Sequence, residues 1–459
     1  MANAMRKHAI VVGAGIGGLL FARTLSDCFE RVTILERDSL SDDQEPRKGI
    51  PQGRHPHGLL AGGCRAMEAL LPGLVDDFKA AGAVTLVAGL NRVEMPDYHP
   101  FPQRDAGFCS YGLSRPLLEL CVRRRVQSIA NISWEQKTAV ERLQHESEEI
   151  TGVMLRDGRS LPAELVIDAS GGGELTLRAL DEMGYVRPRE TTIGVDLHYA
   201  TAYFDVPEDH VPDWKMLITY SNRPPDGFKG VLMSMMEGNR WICGLAWQGE
   251  NEAPADRESY VDFTRNLRTQ TCYNVIKNAR MLGKIVGYFF RESCHRHFSE
   301  LASFPKGLLP VADAICRFNP VYGQGMSVAA LEAEAFRELL KTAQGDWHGL
   351  TRAFLQQSDQ IIAGPWNMAA LPDLAQACTR GERPPNIKQL LKFGTAFTEL
   401  AARDEYVYKL RLEIISLLKP YSALMSDPVV MQGIQGVMAE MAKAEMAQAE
   451  KAQAEMAAV

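Results

Sequence analysis

Apolar and polar positions change period twice within residues 8–36. Ala9-Ile10-Val11-Val12 is continuously apolar, as a strand buried on both faces requires. Glycines follow at 13, 15, 17 and 18, and then Leu19, Ala22 and Leu25 recur at helical spacing. Val32-Thr33-Ile34-Leu35 reads as a second strand that ends on an acid, Glu36. The pattern predicts a strand, a glycine turn, a helix and a parallel strand. Gly13 permits the tight turn. Gly15 lets a pyrophosphate approach the backbone, and Gly18 lets the helix pack close to the sheet. The helix N-terminus offers free N–H groups to an anion, and Glu36 is placed to accept hydrogen bonds from a ribose. With strand, helix and acid all at the expected spacing, this is a dinucleotide-binding signature.

Beyond Glu36, residues 38–57 form a loop rich in charge and turn formers. Helical spacing covers residues 59–71 and stops at Pro72-Gly73; a second helix covers residues 115–129. Residues 150–167 read as a hairpin about Asp157-Gly158, its returning strand running into Asp168-Ala169-Ser170-Gly171-Gly172-Gly173. From about residue 190 short β-like runs dominate, over 199–206, 215–220, 231–236 and 241–247. Turn clusters such as residues 222–227 and Glu237-Gly238-Asn239 separate them. This predicts an antiparallel sheet forming one wall of a second domain. Helical spacing resumes near Tyr260. Leu308-Leu309-Pro310 is a strand into a turn, and Gly323-Gln324-Gly325 opens a long helix to about Leu340. The rest is mostly helical, with breaks expected at Pro365, Pro372, Pro384-Pro385, Pro420 and Pro428. Residues 441–455 repeat every five positions in strong helix formers. A five-residue period makes no continuous apolar stripe, so the tail reads as a solvated helix.

The expected organisation is a first dinucleotide-binding segment over 1–189 and a sheet domain over 190–290. A return to the first domain over 291–345 and a helical region over 346–459 complete it. Composition changes this picture little. A chain of 459 residues has room for several cores, and 46% hydrophobic with 23% charged residues is ordinary for a globular protein. The net charge of −7 argues against nucleic acid. No apolar run reaches the length of a membrane span, and the first strand leaves no room for a signal peptide. The nine cysteines are dispersed without a CxxC pair, which points to reduced thiols and a cytoplasmic location.

Three separated segments carry the chemistry: the first βαβ unit, Leu113-Ser114-Arg115-Pro116-Leu117-Leu118-Glu119, and Leu309-Pro310-Val311-Ala312-Asp313-Ala314 with Asn319-Pro320-Val321-Tyr322-Gly323-Gln324-Gly325-Met326. In this order they resemble the flavin-dependent monooxygenases of the aromatic hydroxylase and squalene epoxidase superfamily. The loop Arg47-Lys48-Gly49-Ile50-Pro51-Gln52-Gly53-Arg54-His55-Pro56-His57-Gly58-Leu59-Leu60 is similar to the bacterial branch of polyether-forming polyene epoxidases. The resemblance covers roughly residues 8–340. It implies an α/β fold: a Rossmann-like FAD-binding domain of the group A monooxygenase type, an antiparallel-sheet substrate domain and a helical C-terminal region.

The resemblance also implies site residues. Gly13, Gly15, Gly18, Glu36 and Arg37 would hold the ADP half of FAD. Arg115 would pair with the pyrophosphate, Asp313 with the ribityl chain, and Arg47 and Arg54 would lie in a loop over the flavin. Gly323, Gln324, Gly325 and Met326 would aim backbone N–H groups at the flavin edge that becomes anionic on reduction. The implied reaction is insertion of one oxygen atom from O₂ into a hydrophobic small molecule, in secondary metabolism, by epoxidation or hydroxylation. The flavin carries the chemistry, so no side chain is nominated as catalytic. Met233, Met235, Trp241 and Trp247 supply apolar bulk for the expected substrate pocket.

Two departures stand out. Ser170 replaces the acid of the motif that accompanies direct NADPH binding, which leaves NADPH or a separate flavin reductase as the electron source. Ala312 replaces the usual glycine before Asp313. No metal is expected: His55-Pro56-His57 has no acid or cysteine at ligand spacing, and His295-Arg296-His297 reads as structural. The alternatives are an FAD-dependent reductase of isoprenoid-type double bonds, a flavin-dependent halogenase, and a non-catalytic flavin sensor whose C-terminal helices bind a partner. Trp241 and Trp247 lie five residues apart, unlike the Trp-x-Trp-x-Ile-Pro halogenase signature.

Overall fold

The computed structural model describes residues 5–47, 49–207, 212–221, 225–249, 252–342 and 347–457. Lys48 of the charged loop and residues 222–224 of one expected turn cluster lie outside the described residues.

The apolar run at the N-terminus becomes the strand Arg6–Val12, the middle of a parallel sheet. Across this sheet the order is Leu308–Pro310, Leu165–Asp168, Arg6–Val12, Phe29–Glu36 and Ile132–Gln136. Ile10 and Val11 are fully buried, which explains why the strand reads apolar throughout. The helix Ile16–Leu25 covers one side, and Phe21 joins Phe336 and Phe354 in a cluster with ring centroids 5.2–5.6 Å apart. Each buried phenylalanine contributes about 1.5–3 kcal/mol, so this cluster firmly ties the helices Gly325–Thr342 and Trp347–Ala375 to the first βαβ unit.

A second, larger sheet is antiparallel along most of its width. Met281–Arg296, Glu190–Asp205, Arg240–Trp247, Lys229–Met236 and Met216–Tyr220 follow in that order. Arg92–Glu94 adds a parallel edge strand from the N-terminal part of the chain. Side chains alternate across its thickness. Met233, Trp241, Cys243, Leu245 and Trp247 pack with Tyr260, Val261, Cys272 and Ile276 of the helices Arg257–Arg265 and Thr271–Ile276. The other face, with Tyr199, Ala246 and Phe290, turns toward the parallel sheet and the helix Trp347–Ala375. The helices Ile387–Arg403, Glu405–Ile415 and Pro428–Ala457 form a further cluster around Phe397, Leu410 and Ile434. The repeat tail continues the last helix with its side chains exposed from residue 442 to residue 451.

Three expectations change. The hairpin closes earlier, between Glu149–Leu155 and Ser160–Pro162, and Leu165–Asp168 leaves it to pair with the first strand. The two longest strands, Glu190–Asp205 and Met281–Arg296, pair over 16 residues each, and the second lies where no strand was expected. Pro365 and Pro372 do not break their helix, which runs continuously from Trp347 to Ala375. Phe354, Ile362, Ala369 and Leu374 are buried along it, and that packing offsets the roughly 3 kcal/mol cost of an interior proline.

Candidate active site

One cavity of about 1320 Å³ is lined both by the glycine turn and by the inner face of the antiparallel sheet. At its floor, Gly13 turns the chain with φ +106° while its N–H donates to the Leu35 carbonyl at 2.8 Å. A Cβ on Gly18 would lie 2.0 Å from the Gly13 carbonyl oxygen, so helix and turn touch there. A Cβ on Gly15 would meet nothing within 4 Å. Gly15 has φ −72° and ψ 175°, angles open to any residue. Its missing side chain therefore serves space in the cavity and not the backbone.

The ribose-side acid is held in a buried ionic chain. Glu36 accepts the N–H of Ala14 at 2.8 Å and of Asp38 at 2.9 Å. Arg47 reaches Glu36, Glu119 and the Ala14 carbonyl, each at 3.1 Å. Arg115 closes the chain on the other Glu119 oxygen at 2.8 Å. Burial opposes the charge of Arg47, and Glu119 and Glu36 more than offset it, so its pKa rises. Arg115 enters the cavity from the first turn of the helix Arg115–Gln127, which Ser114 caps by accepting the Leu117 N–H.

At the opposite end the strand Leu308–Pro310 delivers Ala312 and Asp313. Ala312 has φ +54°, the left-handed region, which accounts for the glycine usual at this position. Its N–H donates to Glu332 at 3.1 Å. Glu332 is fully buried and also accepts the Ser358 hydroxyl. Burial pushes its pKa up to about 7, against the two hydrogen bonds. Asp313 lines the cavity, and no described residue donates a hydrogen bond to it. Burial raises its pKa, while Arg115 and Arg317 pull it down. Gly323, at φ +65°, turns the chain into the helix Gly325–Thr342, whose N-terminus faces the cavity. The neighbouring Gln324 is buried with its Oε1 unpartnered. Asp373 braces this turn. It accepts both contacts of Asn319 Nδ2 at 3.1 Å and the Tyr322 hydroxyl at 2.9 Å, and burial pushes it up to about 7.

The roof of the cavity is apolar. Ile218, Tyr220, Phe228, Leu232, Tyr288 and Phe290 line it. His55 and His57 stand beside this wall. His55 Nδ1 lies 2.8 Å from Thr201 Oγ1, and His57 Nδ1 donates to the His55 carbonyl at 2.8 Å. Burial pushes His55 down to about 4; burial, aided by Arg115, pushes His57 down to about 3.

The structure brings every expected cofactor residue to this cavity except Arg54, which is exposed and contributes only its carbonyl, to the Tyr203 hydroxyl at 3.4 Å. Met233, Met235, Trp241 and Trp247 do not line it; they point to the opposite side of the sheet. The reason is strand alternation: residues 230, 232, 244 and 246 face the cavity, while 233, 243, 245 and 247 face the core. Small and even-numbered positions such as Gly244 and Ala246 were the available signal, and bulk at the odd positions masked it. Glu332 and Asp373, which brace the two turns, carried no signal because their partners are distant in sequence. Ser170, exposed at the edge of the cavity, donates its Oγ hydrogen to the Asp168 carboxylate at 2.6 Å.

The residues fit an FAD. Gly15 leaves room for a pyrophosphate, the Asp313 carboxylate lines the cavity, Gln324 presents an unpartnered Oε1, and a helix N-terminus faces the same space. No protein-family model matches the chain. It is 29% identical over 388 residues to Protein Rv3254 of Mycobacterium tuberculosis, covering 81% of each. Among solved structures it is similar to the flavin-dependent brominase Bmp2, with a TM-score of 0.64 at 16% identity over 89% of this chain and 94% of that one. A variant of PqsL from P. aeruginosa gives 0.58 at 17% identity, covering 88% and 98%. The oxygenase of 2-methyl-3-hydroxypyridine-5-carboxylic acid gives 0.56 at 18% identity, covering 81% and 91%. The chain has the fold of these flavin-dependent enzymes. No helix among the described residues is long and apolar enough to cross a membrane.

Proposed function

We propose that this protein is an FAD-dependent monooxygenase that transfers one atom of O₂ to an apolar small molecule, by epoxidation of an alkene or hydroxylation of an aromatic ring. The observation that carries this reading is the continuity of the cavity: the nucleotide cleft and the aromatic roof line the same space. Bound FAD would supply the oxygen chemistry. The chain supplies the rest. Gly15 and Arg115 would receive the pyrophosphate, Asp313 the ribityl hydroxyls, and the N-terminus of the helix Gly325–Thr342 would stabilise negative charge on the ring system. Tyr288, Phe290, Ile218 and Leu232 would hold the substrate and exclude water.

Electrons would come from a separate flavin reductase. Ser170, its hydroxyl held by Asp168, offers no carboxylate where the NADPH-competent motif has one. NADPH alone is then expected to reduce the bound FAD slowly, even with substrate present; fast, saturable reduction would assign the chain its own NADPH chemistry.

The test is reconstitution with FAD, chemical reduction, and exposure to ¹⁸O₂ with polyenes and aromatics. A product carrying one labelled oxygen supports the reading. A product that has gained two hydrogens and no oxygen contradicts it. A second reading, halogenation, is favoured by the likeness to a brominase; bromide added to the same assay would then give a brominated product.

A further inference from the structure

His295 and His297 lie two residues apart at the end of the strand Met281–Arg296, so their side chains share one face. Their ring centroids are 4.2 Å apart. The helix Trp347–Ala375 brings Asp359 against them, 62 positions further along the chain than His297. One donor atom from each of the three residues falls within 4.8 Å of the others. None of the three lines the cavity described above. We propose that His295, His297 and Asp359 bind a divalent transition-metal ion, zinc by donor type, that ties the antiparallel sheet to the C-terminal helices.

Three observations support this. His295 is 5% exposed, and its Nε2 is buried without a hydrogen-bond partner. That atom nevertheless lies 3.1 Å from Asp359 Oδ1. The contact is close to the separation of about 3.3 Å between two donors on one tetrahedral zinc ion. The remaining atoms are already oriented. His297 Nε2 lies 2.8 Å from Thr191 Oγ1, so Nδ1, which faces Glu300 Oε1 at 3.7 Å, is the nitrogen that turns to the ion. Ser299 donates to Asp359 Oδ2 at 3.1 Å, which leaves Oδ1. Outer partners of this kind fix ligand orientation at metal sites. Finally, two imidazoles with one carboxylate match the zinc preference for nitrogen and oxygen donors. Glu300 is held by Arg189, so the fourth position falls to water, reached from the half-buried Asp359 side.

The test uses tag-free, full-length protein stripped with a chelator and titrated with Zn²⁺, and separately with Co²⁺. The expected result is one ion per chain, with a visible Co²⁺ absorption of tetrahedral strength and a raised melting temperature. Asp359→Asn and His297→Ala should each weaken binding by more than about tenfold, and Thr191→Val by about tenfold. FAD content should be unchanged in all of them. Absence of tight uptake overturns the proposal. So does uptake that both variants retain, which would assign the ion to a thiol such as the exposed Cys378. If His297→Ala fails to fold, Asp359→Asn still decides, because its amide keeps the contact with Ser299.

Discussion

Gly15 and Gly18 sit three residues apart, and the structure gives them opposite roles. Gly18 is a packing glycine, with the Gly13 carbonyl in the space a Cβ would need. Gly15 borders the cavity and is free of protein neighbours. Gly15→Val should therefore leave the melting temperature close to the parent's and abolish FAD uptake, whereas Gly18→Ala should destabilise the protein itself. Thermal melts alongside flavin titration separate the two; a Gly15→Val protein that is unfolded, or that binds FAD as well as the parent, contradicts the assignment. At the other end of the cleft, Asp313→Ala removes a charge-assisted acceptor worth about 1.5–3 kcal/mol, so FAD affinity should fall about ten- to a hundredfold. An unchanged dissociation constant would remove Asp313 from the ribityl contact. Its neighbour Ala312 holds a left-handed φ of +54°, and Ala312→Gly should stabilise by about 1 kcal/mol through relief of that strain. Here the sequence was legible. Gly13, Glu36, Arg115 and Asp313 lie in local motifs whose spacing reflects backbone geometry, and Ala312 was visible as a departure before its φ gave the reason.

At the scale of elements, the antiparallel sheet divides structure from substrate binding by side-chain parity. Trp241 is fully buried among helices that have no part in the cavity. Trp241→Ala should cost about 3–5 kcal/mol of stability, visible in denaturant melts, without changing which substrates are turned over. Leu232→Trp, on the cavity face, should do the reverse: a near-normal melt with altered substrate range. If the two variants exchange phenotypes, the assignment of faces is wrong. Sequence pattern could not supply that assignment, because apolar residues occupy both faces of strands such as Lys229–Met236. Nor could it supply the strand Met281–Arg296. Glycines at 283 and 287 and polar residues at 284, 291 and 292 interrupt its alternation, and its partner Glu190–Asp205 is almost a hundred positions away. Pro365 and Pro372 misled in the other direction, since local rules register the lost hydrogen bond but not the tertiary packing that outweighs it.

For the whole molecule, two buried carboxyls make stability depend on pH. Glu332 and Asp373 sit behind the two turns of the cavity, each pushed by burial up to about 7. Each carboxyl is ionised in the unfolded chain well below pH 7 but keeps its proton in the fold until the pH approaches about 7. Their contribution is therefore complete at acidic pH and declines as pH rises through the range from about 4–4.5 to 7. Glu332→Gln keeps an acceptor for Ala312 and should flatten part of that decline, by a shift on the order of 1–3 kcal/mol between pH 5 and pH 8. Melts of parent and variant with the same pH slope would show that Glu332 titrates normally.

In one cavity the nucleotide cleft opens onto an apolar chamber. The measurement that tests this most directly is flavin titration of the purified chain, paired with the same titration of Gly15→Val. One FAD per parent chain, released as free FAD on denaturation, and a folded but colourless variant are the expected results. A folded parent that takes up no FAD, or a variant that binds it equally well, would contradict this reading of the cavity.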